Sequence, residues 1–552
     1  PLKYSFPRVR NLPNRVLCKD DTGEIDCVFF NSYEGYIRKI LPLNQEVTIS
    51  GKINFYNKKY QIVNPNHISS DLNSINKIHS KYSLTDGLNE KKYQKVINEV
   101  LKNLPDLDEW LSEDISNKFN NISWKSSIIQ LHDPKNFNQK GNFLNRLIFD
   151  EILSNFLISS SIRRKIKKIK KTKKKFDNEP INSIIKKINF KLTKDQLSSI
   201  KDINNDLKSD RKMFRLLQGD VGSGKTIVSL IATLNVIYSN FQVAFMAPTE
   251  ILAKQHYSLA QKLFNKNIKI KLLTGKTEYK DRKIILDDLS KGNIDLLIGT
   301  HSLFQDKIKY KKLGLIIIDE QHKFGVKQRK KLSDKAGTDC DVLVMSATPI
   351  PRTMIMTIYG DMDTSIIKSK PKNRKDIKTY SKNEKNINDI IKFVDKQINN
   401  GNQIFWVCPL IEESKKVDHQ SSIKRYEILK KIFKNKVGLL HSGIDKIEKE
   451  KILSHFLSKK IDIIVSTTVI EVGIDFPNAN LIIIENANKF GLSQLHQLRG
   501  RVGRGSKESF CILMFKSSLS ENAKKRINIL KSSNDGFKIS EEDMKLRGYG
   551  DL

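Results

Sequence analysis

Residues 215–226 run Arg215-Leu216-Leu217-Gln218-Gly219-Asp220-Val221-Gly222-Ser223-Gly224-Lys225-Thr226: a short apolar strand, a glycine-rich turn, then a Lys-Thr pair opening the amphipathic segment Ile227–Ile237. The turn fits G-x-x-x-x-G-K-[ST] in the strand–loop–helix setting that this phosphate-binding loop requires. Gly219, Gly222 and Gly224, with Ser223 between, let the backbone close so that its N–H groups point inward at a helix N-terminus, where a phosphate sits. Lys225 is expected to reach the β- and γ-phosphates of ATP, and Thr226 to ligate Mg²⁺.

Around this loop, apolar strands alternate with helical segments. Arg215–Leu217 is followed by Val243–Met246, Leu296–Ile298, Leu315–Ile318 and Val342–Met345. Runs this continuously apolar are buried on both faces, as in a parallel sheet covered by helices. The pattern repeats downstream with Ile404–Val407, Val437–Leu440, Ile463–Val465 and Leu481–Ile484. The expected architecture is therefore two α/β domains in tandem, 186–367 and 368–537.

Within the first, Ile316-Ile317-Ile318-Asp319-Glu320-Gln321-His322 is a buried strand ending in carboxylates. Asp319 stands where such an enzyme holds Mg²⁺, and Glu320 is placed to polarise an attacking water as general base. An Asp-Glu pair after a strand is weak evidence alone. It gains force from following Lys225 by 319 − 225 = 94 residues in the same domain. In the second domain, Gln497-Leu498-Arg499-Gly500-Arg501-Val502-Gly503-Arg504 spaces arginines among glycines. Arg501 and Arg504 suit the arginine-finger role, neutralising charge that develops on the γ-phosphate, so ATP is expected between the domains.

The upstream third differs. Residues 1–75 alternate like short strands, as in Arg15–Cys18, Asp26–Phe30 and Val47–Ser50, with turn signals at Asp20-Asp21-Thr22-Gly23 and Asn64-Pro65-Asn66, which predicts a small β-barrel. Its segment Ser50–Gln61 reads as a hairpin carrying Phe55, Tyr56 and Tyr60. Alternation puts Phe55 and Tyr56 on opposite faces, so at most one of the pair stacks on a base, with Tyr56 the candidate; the alternative is that one or two of these aromatics fill the barrel core. Residues 76–185 read as a polar helical linker holding Arg163–Lys175, ten basic residues in thirteen with no acid. Such a run is either a solvated face or a set of phosphate contacts.

Whole-chain composition agrees with a polyanionic partner. Lys plus Arg is 98 against 61 for Asp plus Glu, a net +37 over 552 residues, although abundant Asn, Ile and Lys also fit an AT-rich genome. No apolar stretch approaches the ~20 residues of a membrane helix, so a membrane partner loses ground. Cys18, Cys27, Cys340, Cys408 and Cys511 form no CxxC pair; neither a zinc site nor a disulfide framework is expected, and reduced cytosol fits best.

The motifs, in order and spacing, resemble those of superfamily 2 helicases. Ala247-Pro248-Thr249-Glu250 and Gly299-Thr300-His301 resemble the pair that grips one nucleic-acid strand, and Ser346-Ala347-Thr348 the motif coupling hydrolysis to domain movement. Thr467 to Asp475 resembles the motif that contacts both strand and nucleotide, through Thr467 on the strand and Gly473 and Asp475 on the nucleotide. Gln196 resembles an adenine-reading glutamine, with Phe190 as a stacking neighbour. More narrowly, Asp319–Val326 and Gln494–Arg501 look like the RecG family of bacterial branch-migrating DNA translocases, and Asp20–Gly23, Phe29-Phe30-Asn31 and Tyr82–Leu88 carry the likeness upstream.

That resemblance covers essentially the whole chain. It implies a partial OB-fold wedge whose first strand is clipped, a helical linker, two RecA-like domains with parallel sheets, and at 538–552 the start of a translocation hairpin. It further implies coupling roles for Gln321, His322, Ser346 and Thr348. The implied activity is ATP- and Mg²⁺-dependent DNA unwinding at forks and Holliday junctions. A cytoplasmic bacterial monomer is implied, with single-strand DNA-binding protein as a further partner. The nearest rivals are a transcription-repair coupling translocase, which lacks an OB barrel directly upstream, an RNA helicase, and a non-catalytic relative with a decayed ATPase.

Overall fold

The computed structural model describes the chain apart from residues 8–11, 31, 57–58, 72–79, 81, 86, 89, 133–139, 178, 189–190, 305–307, 320–336, 348–361, 370–374, 410–414, 442, 468–475, 504, 506, 517–518 and 548–552. Two compact units divide it, residues 1–154 and 155–552, the boundary falling inside the long helix Lys140–Lys168.

In the first unit, β1 (Lys3–Ser5), β2 (Asn14–Lys19) and β3 (Glu24–Phe29) pair antiparallel in series. β4 (Thr48–Ser50) pairs with β7 (His67–Ser69), and β5 (Ile53–Tyr56) with β6 (Lys59–Val63). The sheet order is β1-β2-β3-β6-β5, and β3–β6 is its single parallel pairing among the described residues. Val16, Cys18, Cys27, Phe29, Ile37 and Leu41 fill the core. The strands expected at Arg15–Cys18, Asp26–Phe30 and Val47–Ser50 are present. β1 was not expected and pairs beside β2. The core-filling alternative fails: all four residues of β5 are exposed, so neither Phe55 nor Tyr56 fills the core. The hairpin carries no interior face at this point. Phe55 and Tyr60 sit cross-strand, rings 5.0 Å apart, with Tyr56 exposed beside them.

Helices follow at Glu90–Lys102, Glu113–Lys118 and Trp124–His132. Arg146, 1% exposed, anchors this region. Its guanidinium grips Glu109 bidentately at 2.7 and 2.9 Å, and also donates to Asp150 and to the Ile122 carbonyl.

The second unit carries two parallel sheets. The first is β8 (Phe214–Gly219), β9 (Gln242–Met246), β10 (Ile270–Leu273), β11 (Leu296–Gly299), β12 (Leu313–Ile318), β13 (Asp341–Ser346) and β14 (Asp363–Ile367), ordered β10-β11-β9-β12-β13-β8-β14. Alternate residues of one strand go to two different cores: Leu217, Phe245, Ile317 and Leu343 to one face, Leu216, Met246, Ile316 and Val344 to the other. That division explains why the strands read as unbroken apolar runs. The second sheet is β15 (Ile377–Asn383), β16 (Gln403–Val407), β17 (Val437–Leu440), β18 (Ile463–Ser466), β19 (Ala479–Ile484) and β20 (Ser509–Phe515), ordered β15-β20-β19-β16-β18-β17. It divides in the same way, with Phe405 and Ile482 on one side and Ile404 and Ile483 on the other. In a parallel sheet all strand C-termini lie at one edge, which is where ligands bind.

Four members of the basic run depart from both of its expected readings. Arg163 and Lys167 pair with Asp363 of β14. Past the helix the chain straps along residues 207–212, with Lys171 N–H on Asp210 O and Lys174 N–H on Leu207 O. The ammonium groups of Lys171 and Lys174 both sit fully buried on the Asp341 carboxylate at 2.7 Å. Burial outweighs that carboxylate and lowers the Lys171 pKa. Arg164, Lys165, Lys168, Lys170, Lys173 and Lys175 remain exposed.

Candidate nucleotide site between two lobes

β8 ends at Gly219 and the chain turns through Gly222 (φ 75°) and Gly224 (φ 88°) into the helix Lys225–Tyr238. Both glycines hold left-handed backbone that a side chain resists. Gly224 also lies against the Gln196 amide, leaving no room for a Cβ. Lys225 is 8% exposed, and its Nζ donates to the carbonyls of Gly219 at 2.8 Å and Asp220 at 3.0 Å. Ser223 Oγ is buried with no hydrogen-bond partner among the described residues. A buried ammonium, an orphaned hydroxyl and a helix N-terminus on one tight loop fit the phosphate chain of a nucleotide.

Asp319 follows β12 and is 7% exposed. Its Oδ2 meets His256 Nε2 at 3.0 Å, and His256 stacks on Phe245, ring centroids 4.7 Å apart. His256 lies on the helix Glu250–Leu263 and escaped the sequence reading, because no motif marks it. Thr226 and Asp319 line one cavity of about 630 Å³ together with Gly222, Gly224 and Lys225, and Arg501 lines it from the second lobe. This is the size range of small-molecule sites.

Gln196, resembling an adenine-reading glutamine, is fully buried. Its Oε1 accepts from Thr193 N–H, closing a capping box, and its Nε2 donates to Ser223 O at 2.8 Å. Both ends of the amide are engaged, so the side chain braces the glycine-rich loop. The remaining candidates cluster at strand ends. Thr249, after β9, caps its helix through Oγ1. Thr300 follows β11 and leads into the 3₁₀ turn His301–Phe304; the His301 side chain lies outside the described residues. Ser346 ends β13, 3% exposed, and Thr467 follows β18, 1% exposed, its Oγ1 buried without a partner among the described residues. Phe190, Glu320, Gln321, His322, Thr348, Gly473, Asp475 and Arg504 lie outside the described residues.

From the second lobe, the helix Leu492–Arg499 meets the glycine-rich loop. His496 Nε2 lies 2.8 Å from Asp220 Oδ1, which also accepts the Val221 N–H. A Cβ on Gly500 would stand 3.1 Å from the Val221 Cβ, so the lobes touch here without a side chain between them. Arg499 is no phosphate ligand. It is 2% exposed, donates to the Leu530 and Ser533 carbonyls, and burial lowers its pKa.

Family models match three stretches: a DEAD/DEAH box helicase domain at 193–357, a helicase conserved C-terminal domain at 385–506, and an OB-fold nucleic acid binding domain at 14–67. The ATP-dependent DNA helicase RecG of Bacillus subtilis is 41% identical over 534 residues, covering 96% of this chain and 77% of the relative. That of Thermotoga maritima is 41% identical over 548 residues, covering 98% and 70%. A solved structure of RecG bound to a three-way DNA junction aligns over 100% of this chain and 74% of that one, at 37% identity and a TM-score of 0.71. With its OB-fold ahead of two parallel-sheet lobes and this identity along nearly its whole length, the chain belongs to the RecG family of ATP-dependent DNA helicases.

Proposed function

We propose that the chain is a translocase that remodels forked and multi-way DNA junctions, the wedge at 1–75 parting strands while the domains at 186–367 and 368–537 move along duplex. Support comes from the junction-bound relative and, above all, from one cavity that gathers Lys225, Thr226 and Asp319 from one lobe and Arg501 from the other. Its lining from both lobes makes the cleft the place where a change in phosphate charge alters lobe separation. Thr226 and Asp319 would hold Mg²⁺, which would supply charge neutralisation at the phosphates. Lys225 exchanges its loop carbonyls for phosphate oxygens, Glu320 takes a proton from the attacking water, and Arg501 and Arg504 stabilise the charge of the transition state.

Thr249, Thr300, His301 and Thr467 hold the tracked strand, and Gly473 and Asp475 complete the nucleotide site. Gln321, His322, Ser346 and Thr348 transmit hydrolysis to the lobes, and Tyr56 stacks on an unpaired base. The linker at 76–185 joins wedge to motor. The helix Gly536–Arg547, whose Asp543 accepts from Ser493, opens the translocation element at 538–552. The protein works as a cytoplasmic monomer alongside single-strand DNA-binding protein. Steady-state ATPase measured with no DNA, linear duplex and a three-way junction tests the reading. Turnover should rise most with the junction, and turnover indifferent to DNA shape would overturn it.

A further inference from the structure

The contact between His496 and Asp220 joins the lobes 276 residues apart in sequence, outside the set of groups expected to touch nucleotide. His496 is 6% exposed and Asp220 equally so, and the bond is therefore shielded from water. The tautomer follows from the second contact. Arg499 Nη2 lies 3.1 Å from His496 Nδ1, and a guanidinium can only donate, so Nδ1 accepts and the ring proton resides on Nε2. Nε2–H is thus aimed at the Asp220 carboxylate. Arg499 is itself fixed by the carbonyls of Leu530 and Ser533. The imidazole is held from behind by a rigid second-lobe anchor and presents one donor to the loop that carries Lys225.

We propose that His496 is a positioning residue for ATP hydrolysis, a latch whose Nε2–H engages Asp220 when the lobes close and so sets the glycine-rich loop opposite Arg501. Two features give the bond this role. Asp220 Oδ1 also accepts the Val221 N–H, so a pull on this residue is felt along the glycine-rich loop that leads into Lys225. Gly500, four residues beyond His496, meets Val221 of the same loop, and Arg501 follows directly in the cavity lining. Latch, contact and finger share one short segment and move together. A hydrogen bond to a charged group in a dry interface contributes about 1.5–3 kcal/mol, equivalent to roughly 10- to 150-fold in rate if it is made only in the closed state.

The test compares two isosteres in the full chain. His496→Asn keeps an acceptor for Arg499 but falls short of Asp220. His496→Gln reaches Asp220 with an N–H donor. With junction DNA, the Asn variant should lose about tenfold or more in kcat while its Kd for ATP, measured by direct binding, changes less than about threefold; the Gln variant should stay within about threefold of wild type. Adding Asp220→Ala to His496→Asn should cost no more than the slower single variant. Equal kcat for Asn and Gln, losses that multiply in the double variant, or a loss confined to ATP affinity would each overturn the latch. The inference rests on the nucleotide reading of the cavity, and wild-type turnover tests that reading separately from the ratio between variants.

Discussion

Asp341→Ala should be the most damaging single change in the first lobe that touches no nucleotide ligand. The Asp341 carboxylate has no exposure and accepts Lys171 on both oxygens at 2.7 Å, Lys174 on one at 2.7 Å, and the Met213 N–H at 2.7 Å. Removing it strands two ammonium groups whose side chains have no exposure either. Breaking a buried pair from one side costs about 3–5 kcal/mol, a large part of a typical domain's stability. For a lobe of this size that lowers Tm by roughly 6–20 °C. Calorimetry of the full chain reads it as an early lobe-1 transition, with the second-lobe transition in place. The triple variant Lys171→Met/Lys174→Met/Asp341→Leu removes the charges together and should recover most of the loss, short of the orphaned Met213 N–H. A loss below about 1 kcal/mol in Asp341→Ala, or a triple variant no better than the single, would refute the claim that this cluster clamps the strap to the sheet.

Three further outcomes are expected. Arg501→Ala should lower kcat by about 10³-fold with ATP binding retained, since the finger acts on transition-state charge; a change in KM alone would make it a ground-state ligand. Tyr56→Ala should weaken forked-DNA binding by about 1–3 kcal/mol and leave plain duplex binding intact, and equal losses on both would return the hairpin aromatics to a structural role. The Arg146 guanidinium holds the Glu109 carboxyl below its ordinary value, so the pair's contribution is complete above the usual carboxylate range and is lost as pH falls below it. The Tm gap between wild type and Glu109→Gln should accordingly close on acidification, whereas a gap constant from neutral to acid pH would show that the carboxylate's charge is irrelevant.

The parts legible in the sequence were those whose physics is local. The glycine-rich loop announces itself because backbone geometry and lysine chemistry occupy one octapeptide, and most central strands because both of their faces are buried, although β20, equally buried, was not read. β15 escaped, since an edge strand alternating half-buried and exposed residues carries only half of that signal. Lys171 and Lys174 of the basic run were hidden for a related reason: a lysine's burial depends on a carboxylate that the fold delivers, and Asp341 lies 170 residues beyond Lys171. His256 and His496 were hidden likewise, each defined by a partner 63 and 276 residues away. Alternation along β5 did not reveal burial, because all four of its residues are exposed and the hairpin buries only Ile62 of β6 among its described residues.

The coupling of ATP hydrolysis to work on branched DNA is expected to run through this one cleft. Its most direct measurement is conversion of a labelled three-way junction to its separated arms, followed with ATP for wild type and for Lys225→Ala. The wild type should convert the junction only when ATP is hydrolysed, and Lys225→Ala should bind the junction normally yet convert none. Conversion by Lys225→Ala at the wild-type rate, or a wild type that hydrolyses ATP on the junction without converting it, would contradict the account.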